Sequence, residues 1–94
     1  MENENRLLEV ARKLSSRYGI GWARFHSCNA YVSEELDDRY VLIKSYSTIV
    51  GIADTETKQI LEVGKYSRTT SKQFTQICNQ RFRNYERLYI DGRV

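Results

Sequence analysis

Residues 39–63 carry three apolar segments: Tyr40-Val41-Leu42-Ile43, Ile49-Val50-Gly51-Ile52-Ala53 and Gln59-Ile60-Leu61-Glu62-Val63. β-Branched and aromatic residues dominate them, and the polar links between them are short enough for hairpin turns. The stretch therefore predicts three consecutive antiparallel strands, a meander. Gly51 in the middle segment predicts a β-bulge or a close packing contact.

Apolar residues at three- and four-residue spacing predict a helix on each side of this meander. The first should cover about residues 3–18 and end at Gly19. Thr70 and Gln73 fit a capping box, so the second helix is predicted to begin there and to run to about residue 84. Its apolar stripe comprises Phe74, Ile77, Cys78, Phe82 and Tyr85. Arg81 falls within that stripe, which predicts a structural ion pair for its guanidinium.

The remaining segments suggest shorter strands. Residues 20–32 predict one interrupted strand or two short ones, and residues 88–90 predict a possible short last strand. The expected fold is α+β in a single domain, residues 1–94. It has an N-terminal helix, a curved antiparallel sheet of three to five strands, and a C-terminal helix packed on one face. Both helices are expected on the same face.

Composition limits the classes of protein that need to be considered. The chain has 94 residues, 40% of them hydrophobic, and no apolar run approaches the roughly 18 residues of a membrane span. We therefore expect a cytoplasmic protein with no membrane partner. Cys28 and Cys78 predict two reduced thiols rather than a disulfide. With His26 they are too few for a structural zinc site, which needs four ligands, so neither a metal nor another cofactor is expected.

A basic segment is the main candidate for binding. Residues 65–73 hold four Ser or Thr hydroxyls, three cations and no acid, at a predicted helix start where unpaired N–H groups suit an anion. Residues 72–94 contain five bases and two acids, a local charge of +3. The alternatives are an ordinary helix cap and a solvated basic helix face. The candidate binding residues are Tyr46, Lys65, Tyr66, Ser67, Arg68, Thr69, Lys72, Arg83 and Arg87.

An acidic loop is a second candidate for contact with a partner. Its acids are Glu34, Glu35, Asp37 and Asp38. Acidic loops are usually solvated, but this one could also contact a basic partner or compete for a nucleic-acid groove.

Catalytic groups are harder to find. Asp54 and Glu56 lie in a turn-like link with no apolar pocket to raise a pKa, so solvation explains them better than acid–base chemistry. His26 is the chain's single histidine and is two residues from Cys28, a spacing that does not set a base against a thiol on a strand. No catalytic residue is assigned, and the chain is predicted not to be an enzyme.

Two motifs resemble an uncharacterised family of small proteins encoded by phages and other mobile elements of bacteria. They are Ser45-Tyr46-Ser47-Thr48-Ile49-Val50 and Tyr66-Ser67-x-Thr69-Thr70-Ser71-x-Gln73, within residues 40–82. Members of that family look to have a Tyr-Ser-x-Thr-Thr-Ser-x-His pattern, from which Gln73 departs. The family has no assigned activity, and the resemblance implies a mobile-element setting inside a bacterial host.

Three functions follow as hypotheses. The first is a non-enzymatic interaction protein that inhibits a host defence effector, of the CRISPR type or related, by binding a host protein or ribonucleoprotein. The second is a nucleic-acid-binding module that uses the basic residues of 65–87. The third is nucleotide sequestration at the second helix start. Short edge strands and seven Tyr also make a homodimer possible.

Overall fold

The chain folds into a six-stranded sheet with one helix on each face, in a computed structural model. The structure describes residues 2–25, 29–64 and 68–94, and the side chains of 3–25, 29–64 and 72–94. The elements are α1 (Glu2–Ser15), β1 (Trp22–Arg24), β2 (Ala30–Ser33), β3 (Tyr40–Ser45), β4 (Thr48–Asp54), β5 (Gln59–Val63), α2 (Arg68–Arg81) and β6 (Glu86–Ile90). The predicted α+β class is confirmed.

The strands lie in the sheet in chain order, β1 to β6. The first five form an antiparallel meander, of which the apolar segments predict β3, β4 and β5. β6 instead pairs parallel to β5, from Gln59 with Glu86 to Val63 with Ile90. A parallel partner needs a crossover connection, and α2 provides it. The sheet thus has one strand more than the three to five expected, and its last strand is parallel.

The two helices lie on opposite faces, so the expectation that they share a face is wrong. Leu42 and Ile43 are both fully buried although neighbouring strand residues point to opposite faces. Leu42 belongs to the core under α1, and Ile43 to the core under α2. Residues buried on the α1 side are Leu7, Leu8, Ala11, Leu14, Leu36, Leu42, Ile52, Leu61 and Val63.

Gly51 marks both a bulge and a close contact, as its place in the strand predicts. Ile43 pairs with Gly51 whereas Lys44 pairs with Ile49, so Val50 is an extra residue on β4. A Cβ on Gly51 would clash with Cε2 of Phe74 and lie 2.8 Å from the carbonyl oxygen of Leu61. Glycine therefore lets α2 approach the sheet.

The helix boundaries differ from those predicted. α1 ends at Ser15, three residues early, and Tyr18 is fully exposed beyond it. α2 begins at Arg68, before Thr70, and among the described residues Gln73 Oε1 is buried with no hydrogen-bond donor. The Gln73 half of the predicted capping box is therefore not formed, and the Thr70 side chain lies outside the described residues.

The end of α2 also corrects the prediction made for Arg81. α2 stops at Arg81, and Phe82 and Tyr85 continue the apolar contact from the following turn, with ring centroids 5.0 Å apart. Arg81 is exposed, so it is outside the buried stripe and needs no buried ion pair. The remaining predictions agree better: residues 20–32 give two short strands, and the last strand covers 86–90.

Candidate binding site on the sheet face

A row of alternating charged and aromatic side chains crosses the first strands of the sheet. Arg24 of β1 pairs with Tyr31 of β2, Tyr31 pairs with Lys44 of β3, and Lys44 pairs with Ile49 of β4. Directly paired residues of adjacent strands share a face, and so do residues two apart in one strand. Trp22 therefore lies on the same face as this row.

The ammonium group of Lys44 lies over two aromatic rings, those of Trp22 and Tyr31. Its Nζ is 4.2 Å from the centroid of the Trp22 ring and 5.3 Å from that of Tyr31. Both distances fall within the range of cation–π attraction. Among the described residues no carboxylate forms an ion pair with Lys44. The rings thus orient the ammonium group without neutralising its charge.

This part of the sheet face is open because α1 packs mainly over β4, β5 and β6. Trp22, Tyr31 and Lys44 are half-buried, and Arg24 is exposed. We refer to Trp22, Arg24, Tyr31 and Lys44 as the aromatic–basic face. The other residues of β1–β3 on this side are Ser33, Tyr40 and Leu42, so these strands place no acid on it.

Tyr46 lies at the tip of the β3–β4 hairpin, next to this face along the chain. Ser45 pairs with Thr48, which leaves a two-residue loop whose first residue is Tyr46. Its φ is 56°, a left-handed conformation that a bulky residue rarely adopts. Its backbone N–H donates to the Asn29 carbonyl oxygen at 2.7 Å, and 66% of the residue's surface is exposed. The hairpin tip therefore presents a phenol ring to solvent at a conformational cost.

The residues predicted to bind from the segment 65–73 are only partly described. Lys65, Tyr66 and Ser67 lie outside the described residues. Arg68 and Thr69 form the first turn of α2, and their side chains are outside the description. Lys72 is exposed on α2. The register places Tyr46 and the C-terminal end of β5 at the same end of the strands. Tyr46 and the start of α2 therefore lie at that end of the sheet.

Arg83 and Arg87 belong to the other end of α2 and to β6. Arg83 is exposed in the connection between α2 and β6, at the opposite end of the strands. The guanidinium of Arg87 lies 3.4 Å from Glu62 Oε1 and 3.4 Å from Thr75 Oγ1, and 5.5 Å from the Phe74 ring centroid. Arg87 thus joins α2 to β5, and much of its charge is compensated.

The acidic loop forms a tight turn between β2 and β3. Asp37 and Asp38 both have φ of 55°, and Arg39 N donates to the Leu36 carbonyl, as in a type I′ hairpin turn. Arg17 holds Asp37 through two bonds of 2.9 and 2.8 Å, and these bonds lower the pKa of the Asp37 carboxyl.

The other two acids of the loop differ from each other in their contacts. Glu34 Oε2 accepts a 2.6 Å bond from Gly21 N–H, whereas Glu35 is exposed. Two of the four acids, Glu34 and Asp37, therefore already have hydrogen-bond partners within the protein.

Asp54 is a fully buried carboxylate that the sequence did not reveal. Arg39 donates to both of its oxygens at 2.9 Å, and Arg6 donates to Oδ2 at 3.3 Å. Backbone N–H groups of Glu56 and Thr57 add bonds to Oδ1. Burial by itself would raise the pKa of Asp54, but the bonds from Arg39, the two backbone groups and Arg6 outweigh it and hold the pKa well below its ordinary value. The expectation of a solvated Asp54 is wrong, and its geometry is that of a structural ion pair.

The remaining candidates for chemistry form no reactive constellation among the described residues. In the three described ranges of the chain, no three His, Cys, Asp or Glu side chains lie together in a way that could hold a metal ion. His26 and Cys28 lie outside those ranges. Cys78 is a free thiol in the α2-side core, and burial raises its pKa to about 11. A thiol in that environment is a poor nucleophile.

The fold and the site together define a small α+β protein with one open, aromatic and basic sheet face. Comparison with family models, curated proteins and solved structures finds no match to this chain. The resemblance of residues 40–82 to a mobile-element family therefore stays a prediction. No helix among the described residues combines the length and apolar character needed to cross a membrane.

Proposed function

We propose that this protein is a non-enzymatic interaction protein whose partner docks on the aromatic–basic face and on Tyr46. The observation that carries the proposal is the left-handed backbone of Tyr46, a bulky residue with 66% of its surface exposed. A strained conformation persists only where the surrounding structure imposes it, and such residues cluster at binding sites. Exposed Tyr is also enriched among residues that dominate interface energies.

The neighbouring face supports the same site. Trp22 and Tyr31 offer ring surface, and Lys44 offers an ammonium group that no described acid neutralises. Large rings with few rotatable bonds lose little entropy on binding, and oriented cations add electrostatic selectivity. The site therefore combines features that favour recognition of a macromolecule.

The setting of this interaction follows from the resemblance of residues 40–82. On that basis the partner is a host defence effector, protein or ribonucleoprotein, which the protein inhibits by occupying it in the cytoplasm of a bacterial host. This part of the proposal is separate from the location of the site. An unaffected defence effector would remove it without removing the interaction surface.

A second candidate is nucleic-acid binding through the basic residues of 65–87. Lys72 and Arg83 favour it because both are exposed and neither has an ion pair among the described residues. Arg87 counts against it because Glu62 compensates its charge. The two candidates differ in location, since Lys72 lies on α2 and the aromatic–basic face lies on the α1 side of the sheet.

The test compares two exposed tyrosines. Tyr46→Asn should leave the free energy of unfolding unchanged or raise it by up to about 1 kcal/mol, because Asn adopts the left-handed conformation more readily. The same substitution should abolish capture of partners from a host lysate, measured by quantitative mass spectrometry. Tyr18→Ser, at a fully exposed Tyr outside the site, should leave capture intact. Equal capture by wild type and Tyr46→Asn would overturn the role of the hairpin tip.

A further inference from the structure

We infer that the aromatic–basic face binds single-stranded nucleic acid. This inference rests on the proposed function, because it names a class of ligand for that same site. It differs from the second candidate above in using β1–β3 rather than the basic residues of 65–87. The argument depends on the order of side chains across the sheet.

The row Arg24–Tyr31–Lys44 alternates cation, ring and cation in directly paired positions. Neighbouring strands are about 4.8 Å apart, so the backbone positions of Arg24 and Lys44 are roughly 10 Å apart, with Tyr31 on the strand between them. A single strand of nucleic acid likewise alternates charged phosphates with flat bases. Proteins that bind such strands combine a positively charged surface with rings on which bases stack.

The Lys44 side chain is already oriented for binding a phosphate. The rings of Trp22 and Tyr31 hold its ammonium group at 4.2 and 5.3 Å from their centroids. An ammonium in a cation–π contact keeps its full charge and its hydrogen-bond donors for a phosphate. The cost of orienting a long side chain is therefore partly met before the ligand arrives.

A single strand fits better than a duplex or an acidic protein surface. Stacking on the Tyr31 ring requires unpaired bases, which a duplex does not present. An acidic protein would use the two cations but would gain less from rings set between them. The absence of acids on this side of β1–β3 removes repulsion against phosphates.

The experiment uses a fluorescein-labelled oligo(dT) of about twelve nucleotides, within the site sizes of single-strand binders, and an oligo(U) of equal length. Anisotropy of the label gives affinity. Emission of Trp22, the single Trp of the chain, reports binding at the face itself. With two phosphates neutralised, the slope of log K against log salt should be about −1.4, or roughly sevenfold weaker binding on a fourfold rise in salt.

Variants assign the binding to this face. Lys44→Gln should reduce the slope to about −0.7, whereas Lys13→Gln, an exposed lysine on α1, should not change it. Tyr31→Val removes the ring in a strand-compatible way and should weaken binding roughly tenfold or more, whereas Tyr31→Phe should not. Melting curves of all four variants confirm that the sheet is intact.

The outcomes separate the two proposals. Binding that Lys72→Gln abolishes but Lys44→Gln and Tyr31→Val leave intact would overturn this inference in favour of the basic residues of 65–87. No binding of either oligonucleotide at low salt, with partner capture that still depends on Tyr46 and Lys44, would overturn the nucleic-acid ligand and keep the interaction surface. If neither oligonucleotide binds and partner capture does not depend on Tyr46 and Lys44, the proposed function is overturned as well.

Discussion

Arg39 and Asp54 face each other across the β3–β4 hairpin, where two guanidinium nitrogens donate to the two oxygens of a carboxylate with no exposed surface. Arg39 directly precedes β3 and Asp54 is the last residue of β4, and Tyr40 pairs with Asp54 in the sheet. Arg6 of α1 reaches the same carboxylate. One buried acid thus joins a helix, a hairpin and the turn that follows it.

Asp54→Asn should lower the free energy of unfolding by about 3 kcal/mol, because it leaves Arg39 and Arg6 without their carboxylate. Urea denaturation monitored by circular dichroism measures the change. Glu56→Gln is the matched control, since Glu56 is exposed and meets Arg39 at 3.5 Å. A change below about 0.5 kcal/mol is expected there. If both substitutions have equally small effects, the Asp54 pair does not stabilise the fold.

Acid should destabilise the protein through the same carboxylate. The pKa of Asp54 lies below its ordinary value of 3.8 in the folded state, so the unfolded chain binds more protons as pH falls. Its contribution is fully present above about pH 5 and is lost progressively below that pH, as the unfolded chain takes up the proton. Urea midpoints between pH 7 and pH 3 should therefore fall, and Asp54→Asn should flatten the decline. Asp37→Asn should flatten it less, because Asp37 is exposed.

Gly51→Ala should destabilise the protein by about 1–3 kcal/mol through overpacking. The new methyl group would meet the Phe74 ring and the rigid Leu61 carbonyl. Gly92→Ala is the control, because its methyl would lie 3.2 Å from a flexible end of Leu8. Phe74→Leu combined with Gly51→Ala should recover part of the loss relative to the sum of the single changes. Full additivity of the two changes would show that Gly51 and Phe74 do not interact.

Cys78 should react slowly with an alkylating reagent at pH 8 in the native protein and quickly in urea. Burial in the α2-side core restricts access to the thiol and raises its pKa to about 11. Cys28→Ser removes the second thiol, so that mass spectrometry counts modification at Cys78 alone. Rapid labelling of the native protein at Cys78 would contradict its place in the core.

Much of the fold was accessible from local patterns, but the side of the sheet on which each helix packs was not. The apolar segments predicted β3, β4 and β5, and Gly51 predicted the bulge. The signal for two covered faces was also present, since Val41-Leu42-Ile43 is an unbroken apolar run of the kind that strands buried on both faces show. Placing the helices on opposite faces also requires the direction of β6, which runs parallel to β5. No local pattern fixes the direction of a five-residue strand.

The binding site was less accessible because register creates it. Arg24, Tyr31 and Lys44 are 7 and 13 residues apart in sequence, and only the pairing of β1 with β2 and of β2 with β3 aligns them. The burial of Asp54 depends on register in the same way, because its partner Arg39 is 15 residues away across a hairpin. Tyr46 was singled out from a motif, but its positive φ depends on a two-residue loop that only the register of β3 and β4 defines.

The contact of α1 with β6 has a consequence for the order in which the chain can acquire its structure. Leu88 and Ile90 pack on the α1-side core, and Arg12 Nε donates to the Arg93 carbonyl oxygen at 2.9 Å. During synthesis on the ribosome, α1 emerges first and β6 last. The hairpins of the meander can form from near neighbours, but the apolar side of α1 stays incompletely covered until β6 is made. Synthesis of β6 therefore decides when α1 is fully packed.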